Sequence, residues 1–155
     1  MNTKTVLALT ASAIMTADAR MGFGACPAVA NVLTLDNAAF AGKWYEIKRD
    51  ASFTYEMGQE CETQEYKLNA DGNLDLYFRA MFPMMAFTYQ GVDGTLFNCE
   101  DNLATGSTCQ ASMAKSEQLY PFSILATDNT NWAVHYNCME SMGMHMSWLN
   151  IVSKE

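Results

Sequence analysis

Apolar and polar side chains alternate in short runs along most of the chain. The clearest run covers residues 74–79, where Leu74, Leu76 and Phe78 alternate with more polar side chains. A period of two is typical of a β-strand with one buried face. No longer stretch has a helical period, so the pattern predicts an all-β protein. Other strand-like runs, bounded by turn residues, cover residues 43–49, 62–68, 87–92, 95–99, 107–115, 119–127, 132–138 and 146–153.

The connections between these runs are short and contain turn signals. Asn69-Ala70-Asp71-Gly72 predicts one hairpin, and Asp93-Gly94 predicts a turn between two further strands. About eight short strands in series form an antiparallel meander, and closing it into a barrel removes the exposed edges of the sheet. An eight-stranded barrel is just wide enough to hold one small ligand. The sequence therefore predicts an eight-stranded antiparallel up-and-down β-barrel.

The composition fits one globular domain and narrows the class of partner. The chain has 155 residues, of which 50% are hydrophobic, and a net charge of −8. Such a chain repels phosphate groups, and no cluster of Lys or Arg offsets the repulsion. We therefore expect no nucleic-acid binding and at most peripheral membrane contact. No apolar run reaches the ~18 residues that a membrane-spanning helix needs.

Residues 1–19 have the features of a signal peptide. Lys4 is the only charge before the apolar stretch 6–15, and Ala17-Asp18-Ala19 provides small residues at a cleavage site. We expect residues 20–40 to form an N-terminal arm and residues 41–155 the barrel domain. Export would place the protein outside the cell, or in an organelle lumen, where cysteines form disulfides. An uncleaved amphipathic N-terminal helix is the alternative.

Three later segments carry a family resemblance. The first is residues 40–47 (FAGKWYEI), preceded by a Cys-Pro pair at residues 26–27. The second is Thr127-Asp128 together with residues 131–138 (NWAVHYNC). The third is residues 148–154 (WLNIVSK). In order and spacing these segments resemble the lipocalins, nearest the apolipoprotein D and bacterial lipocalin type, over residues 26–154. The resemblance implies the barrel fold and a binding protein rather than an enzyme. One departure is Asn129, where a Tyr is usual.

The resemblance also implies structural roles for Gly42, Trp44, Thr127, Asp128 and Lys154. Trp44 is expected to plug the closed end of the barrel, with the cation of Lys154 stacked on its indole. Gly42 lets the chain enter the first strand close to neighbouring backbone, and Asp128 is expected to accept hydrogen bonds from turn amides. Lys154 stands where the family usually has Arg, which stacks better, so we expect a looser base.

The family's C-terminal helix, which packs on the outer wall of the barrel, has no counterpart before Glu155. Outward apolar residues such as Tyr45 and Ile47 would then lack that cover. We expect a protein partner or a second copy of the chain to cover this wall, with the N-terminal arm as the alternative.

The chain has five cysteines, an odd number. The resemblance implies a disulfide between Cys26 and Cys138, which would tie the arm to a late strand. Cys99 and Cys109 flank one connection and would face each other across a hairpin. Cys61 matches a family cysteine whose partner lies in the C-terminal extension, so we expect it to be unpaired within the chain. Bridges from Cys61 to Cys99 or to Cys109 are the alternatives.

The sequence contains no catalytic constellation. It has no nucleophile elbow, no Gly-rich phosphate loop and no His/Glu zinc cluster. We interpret His135 as a packed residue of a strand. We expect no cofactor and no metal. Residues 139–146 concentrate four methionines and one histidine, and because thioethers suit Cu(I), copper binding is an alternative. Methionines elsewhere in the chain favour a cavity that adapts to an apolar guest.

We expect the chain to carry one small hydrophobic ligand, such as a lipid, a retinoid or a carotenoid or isoprenoid pigment, in the barrel. The alternatives are a lipocalin-fold subunit of a larger assembly, with no transported ligand, and an enzyme acting on a pigment or isoprenoid. A shift of one residue in strand register would exchange the two faces of a strand. The predicted ligand-binding residues are Leu76, Phe78, Phe87, Tyr89, Met113, Tyr120, Phe122, Ile124 and Tyr136.

Overall fold

A computed structural model describes residues 21–27, 29, 35–50, 58–97, 99, 108–114, 117 and 119–155. The predicted signal peptide, residues 1–19, lies outside the described residues, and so does part of the predicted arm. No helix within the described ranges is long and apolar enough to cross a membrane.

Strands dominate the described part of the chain. Besides the strands, it contains one four-residue helix, α1 (Asn37–Phe40), and a 3-10 turn at Pro83–Met85. The strands are β1 (Met21–Phe23), β2 (Gly42–Arg49), β3 (Glu60–Leu68), β4 (Leu74–Phe82), β5 (Thr88–Phe97), β6 (Thr108–Met113), β7 (Leu119–Thr127), β8 (Trp132–Ser141) and β9 (Met144–Ser153).

Strands β2 to β9 form a closed antiparallel barrel. Each strand pairs with the next along the chain, and β9 pairs with both β8 and β2, which closes the sheet. β1 pairs with the part of β9 that β2 does not reach, where Met21 lies opposite Met146. The predicted fold class, an eight-stranded antiparallel barrel, is therefore confirmed.

The predicted turn at Asp93-Gly94 is wrong. One continuous strand, β5, runs through both residues and pairs with β4 along its length. Gly94 instead allows β5 and β6 to approach each other closely. A side chain there would meet the backbone oxygen of Ser112 and the thioether of Met113. The chain reverses earlier, at the 3-10 turn Pro83–Met85 between β4 and β5.

Trp44 and α1 seal one end of the barrel, here called the base. Trp44 is fully buried, and its ring centroid lies 4.7 Å from that of Phe40 in a stacked pair. Its Nε1 donates a hydrogen bond of 2.9 Å to the backbone oxygen of Phe40. α1 is capped by Asp36, whose carboxylate accepts from the amides of residues 38 and 39. Apolar side chains from four strands complete the base: Leu74, Leu96, Ala133 and Val152.

Lys154 lies across the indole of Trp44, in the arrangement that the resemblance implies. Its Nζ is 4.9 Å from the ring centroid and donates to the backbone oxygens of Ala39 at 2.8 Å and Ala41 at 2.9 Å. Gly42 lies against this side chain with φ +132°, a backbone conformation that favours glycine. Lys154 therefore ties the last strand to the end of α1, and the expectation of a looser base stays a prediction.

Asp128 organises the turn between β7 and β8. Its Oδ1 accepts hydrogen bonds from the backbone amides of Thr130, Asn131 and Trp132 at 2.7–3.1 Å. These bonds, those from Asn131 first, hold the pKa of the carboxyl well below its usual range. Asn129, the departure from the family pattern, has φ +66°, which Asn tolerates better than most residues.

Two disulfides join cysteines of the described residues. Cys26 bonds to Cys138 on β8, and Cys99 bonds to Cys109 on β6. Cys61 is free and exposed, so neither alternative bridge from it is formed. Both expected pairings are therefore present in the structure.

Candidate ligand-binding cavity

A cavity occupies the barrel between the base and the opposite end. Its volume is about 350 Å³, toward the lower end of the range for small-molecule sites, roughly 300–1,000 Å³. The wall is mostly apolar, with side chains from strands β4 to β9: Leu76, Phe78, Val92, Ala111, Met113, Tyr120, Pro121, Phe122, Met139 and Trp148.

Five of the predicted ligand-binding residues line this cavity. The period-two pattern locates them because partners across a strand pair share a face of the sheet. Phe78, for example, lies opposite Val92, which also lines the cavity. Contact with a ligand stays a prediction for all five: Leu76, Phe78, Met113, Tyr120 and Phe122.

Ile124 and Tyr136 are buried but do not line the cavity. Ile124 belongs to the hydrophobic core. Phe122 lies opposite Asn137, whereas Tyr136 lies opposite Ser123, so Tyr136 is on the other face of the sheet. The predicted face of β8 is therefore wrong by one residue, since Asn137 faces the cavity instead of Tyr136.

Phe87 and Tyr89 also lie outside the cavity. Phe87 is 68% exposed and has φ +56° in the connection before β5. Tyr89 is 61% exposed and pairs with Met81, on the face opposite to that of Phe78 and its partner. The pairing of β5 with β4 turns Tyr89 outward, whereas Phe87 precedes the strand and lies in the connection.

Three polar side chains that the sequence did not single out line the cavity: Gln64, Asn137 and Asn150. Both ends of the Gln64 amide are bonded, because Oε1 accepts from the Tyr66 hydroxyl at 2.6 Å and Nε2 donates to Glu62 at 3.0 Å. Burial, and then the Glu62 carboxylate, raise the pKa of Tyr66 well above its usual value. Glu62, Gln64 and Tyr66 are spaced by two residues on β3, as the residues of one buried face are. Because two of them are polar, the sequence pattern did not indicate that this face is buried.

Asn150 connects the cavity wall to a partly buried ion pair. Its Nδ2 donates to Oε2 of Glu46 at 2.6 Å, and Oε1 of Glu46 lies 2.7 Å from Nε of Arg49. The Glu46 side chain is only 5% exposed. This side of the cavity therefore presents an amide that is held in place by a carboxylate and a guanidinium.

Asn137 and His135, two residues apart on β8, differ in their surroundings. The Asn137 side chain faces the cavity and has no hydrogen bond to another described residue. His135 is fully buried, with its ring centroid 5.0 Å from that of Phe122, and neither ring nitrogen has a partner among the described residues. Burial lowers the pKa of His135 to about 3, so its imidazole is neutral at pH 7.

The methionine-rich hairpin lies at the end of the barrel opposite the base. Met139 lines the cavity, while Met142 and Met144 are exposed. The His145 ring has its Nδ1 3.3 Å from the backbone oxygen of Gly24. In the described part of the chain, no group of three or more His, Cys, Asp or Glu side chains is placed to hold a metal ion. Copper binding through thioethers stays a hypothesis.

No protein-family model matches the chain. Apolipoprotein D of Mus musculus is 27% identical to it over 125 residues, which are 74% of this chain and 58% of that protein. The Lazarillo protein of Schistocerca americana is 25% identical over 121 residues, 74% of this chain and 54% of that protein. The chain thus spans little more than half the length of the curated relatives that it matches.

Solved structures share the barrel. Insecticyanin from Manduca sexta superposes with a TM-score of 0.69 and 25% identity, covering 88% of this chain and 72% of the insecticyanin chain. The fold, the motifs around Trp44 and Asp128 and the similarity to apolipoprotein D agree with one another. In sequence and in fold, this chain is therefore similar to apolipoprotein D and to insecticyanin.

Proposed function

We propose that the protein binds and carries one small hydrophobic ligand in the cavity of its barrel, and that it is not an enzyme. The observation that carries this proposal is the cavity itself, about 350 Å³ with a mostly apolar wall and three polar side chains. Burial of apolar ligand surface favours binding by roughly 25 cal/mol per Å², and a few polar groups fix orientation.

The test is a titration of the purified protein with retinoids, fatty acids and carotenoid-type pigments, followed by tryptophan fluorescence. Trp148 lines the cavity and serves as the reporter. Phe78→Asp and Phe122→Asp should weaken binding at least ~10-fold, because an uncompensated charge in an apolar cavity is strongly unfavourable.

Tyr89→Asp is the matched control, since this aromatic side chain points outward from the neighbouring strand. It should bind like the unmodified protein. If no compound in the panel binds, or if Tyr89→Asp weakens binding as much as Phe78→Asp, the carrier function in this cavity is refuted.

Export of the protein is part of the same proposal. It is supported by the leader-like residues 1–19 and by two disulfides, which persist in oxidising compartments. Expression with the full leader should deliver protein to the medium or to an organelle lumen with a new N-terminus near Arg20. Retention of Met1 in cytosolic protein would contradict this part.

A second candidate function, as a subunit of a protein assembly, is supported by an apolar patch on the outer wall. Tyr45 is 42% and Ile47 60% exposed on β2. Tyr45 pairs with Thr63, two residues from the free and exposed Cys61 on β3. A patch of this kind favours contact with another protein or with a second copy of the chain.

Light scattering and native mass spectrometry test the assembly. A stable dimer or larger species is expected, and Ile47→Lys should shift it to the monomer. Leu119→Lys, which changes an exposed apolar residue of β7, is the control and should not. A strictly monomeric protein at high concentration would exclude this second function and leave the carrier function standing.

A further inference from the structure

We propose that the cavity selects an uncharged amphiphile whose hydroxyl or carbonyl end lies against Asn137, and that it disfavours a carboxylate end. This inference rests on the proposed carrier function and names the chemical class of its ligand. It follows from the hydrogen-bonding state of the lining groups and from the charges around them.

Asn137 is the open polar group of the wall. The Gln64 amide is occupied at both ends by Tyr66 and Glu62, and the Asn150 amide donates to Glu46. The Asn137 amide makes no hydrogen bond with the described residues, although it lines the cavity. An amide has both donors and an acceptor, so it complements a hydroxyl or a carbonyl group equally well.

His135 is the nearest inward-facing neighbour of Asn137 on β8, but it is fully buried and does not line the cavity. It follows Asn137 toward the base on the same face of β8, and its cross-strand partner Asn150 lines the cavity. Its two ring nitrogens are buried without partners among the described residues, a state that is unfavourable for polar groups. Its ring packs against Phe40, Tyr66 and Phe122, so the contact with the polar end of a ligand is assigned to Asn137 alone.

The charges around the cavity disfavour an anionic ligand. Glu62 bonds to Gln64, and Glu46 bonds to Asn150, so each carboxylate is hydrogen-bonded to an amide of the cavity lining. Arg49 is the cation that contacts Glu46. Arg49 offsets the charge of Glu46, and the described side chains that line the cavity include no Lys, Arg or His. A ligand carboxylate would therefore lose its hydration there without gaining a counter-charge. A neutral polar end avoids that loss.

Retinol and retinoic acid test the inference, because they share one apolar skeleton and differ at the polar end. Their dissociation constants are measured at pH 7.4 by quenching of tryptophan fluorescence. Retinol should bind at least ~10-fold more tightly, since the ionised acid must be desolvated in a cavity whose described lining supplies no counter-charge. Asn137→Leu should weaken retinol binding and leave retinoic acid nearly unchanged, so that the preference shrinks. Asn137→Ser, which keeps a hydroxyl, should retain most of the preference.

The outcomes separate this inference from the carrier function. Equal or tighter binding of retinoic acid refutes the ligand class while the carrier function survives. A retinol preference that persists in Asn137→Leu refutes the assignment to Asn137. If neither retinoid nor any other compound of the panel binds, the carrier function fails and the inference fails with it. The comparison in the unmodified protein does not depend on whether the variants fold.

Discussion

The imidazole of His135 makes the folded barrel sensitive to acid. Its pKa is about 3 in the folded protein, against an ordinary value of 6.5. Between these two pH values the unfolded chain binds more protons at this residue, so the free energy of unfolding falls as the pH falls. The loss at pH 5 is about 2 kcal/mol relative to pH 7.

His135→Val should remove this part of the acid sensitivity, because its neighbours include the apolar residues Phe40 and Phe122. Urea unfolding of both proteins at pH 7, 6 and 5 measures it. The stability of the variant relative to the unmodified protein should rise by about 2 kcal/mol between pH 7 and pH 5. A difference that stays constant over this range would show that His135 does not titrate on unfolding.

Lys154 stabilises the base through one charge and three contacts, with the Trp44 ring and the oxygens of Ala39 and Ala41. Lys154→Met keeps the length of the side chain and removes the charge, and it should lower the free energy of unfolding by about 2 kcal/mol. Chemical denaturation measures the change.

Lys67→Met is the matched control for Lys154→Met. Lys67 also lies over an aromatic ring, 4.6 Å from the Tyr77 centroid, but in an exposed position beside Glu65. Solvent screens such contacts, so the control should lose less than about 0.5–1 kcal/mol. If both variants lose the same free energy of unfolding, the charge of Lys154 does not stabilise the base more than an exposed lysine would.

At the scale of elements, the close approach of β5 and β6 depends on Gly94. A side chain there meets the backbone of Ser112 as well as the flexible Met113, and backbone cannot move aside cheaply. Gly94→Val should therefore destabilise the protein by about 2–3 kcal/mol. Thr88→Val, on the exposed start of the same strand, should change stability by no more than about 0.5 kcal/mol. Thermal unfolding of both variants measures the difference. If Gly94→Val is as stable as the unmodified protein, the close approach of the two strands does not depend on Gly94.

Strand β4 shows what the sequence predicts well, and β8 shows where prediction fails. β4 buries Leu74 and Leu76 on one face, so alternation identifies both the strand and its face. β8 buries Val134 and Tyr136 on one face and Ala133 and His135 on the other. When both faces of a strand are buried, alternation carries no information about which face points inward.

The polar lining of the cavity was beyond prediction for a related reason. Gln64 and Asn137 have the composition of solvent-facing strand residues, and only the register of their neighbours shows that they point into the barrel. The Asp93-Gly94 pair is a turn signal in isolation, yet the long pairing of β4 with β5 overrides it. The roles of motif residues such as Trp44 could be predicted because the family resemblance implies them.

At the scale of the whole molecule, the two disulfides should stabilise the fold unequally. Cys26–Cys138 has a sequence separation of 112 and Cys99–Cys109 one of 10. In the chain-entropy description, closing the larger loop contributes about 4–5 kcal/mol and the smaller about 2–3 kcal/mol. Removing each bond by a pair of Cys→Ala substitutions and measuring unfolding in urea tests this order. A larger loss from the Cys99–Cys109 pair would show that native-state strain, and not loop length, decides.

The Cys26–Cys138 bond also gives the protein a mechanical property. It makes strands β2 to β7 and most of β8 part of one covalent ring, so a pull applied on the two sides of the ring is carried by the bond itself. The segment between the two cysteines, whose sequence separation is 112, cannot lengthen under such a load while the bond is intact. Reduction would release about 380 Å of extendable chain. This part of the protein therefore resists stretching in an oxidising medium and can be extended in a reducing one.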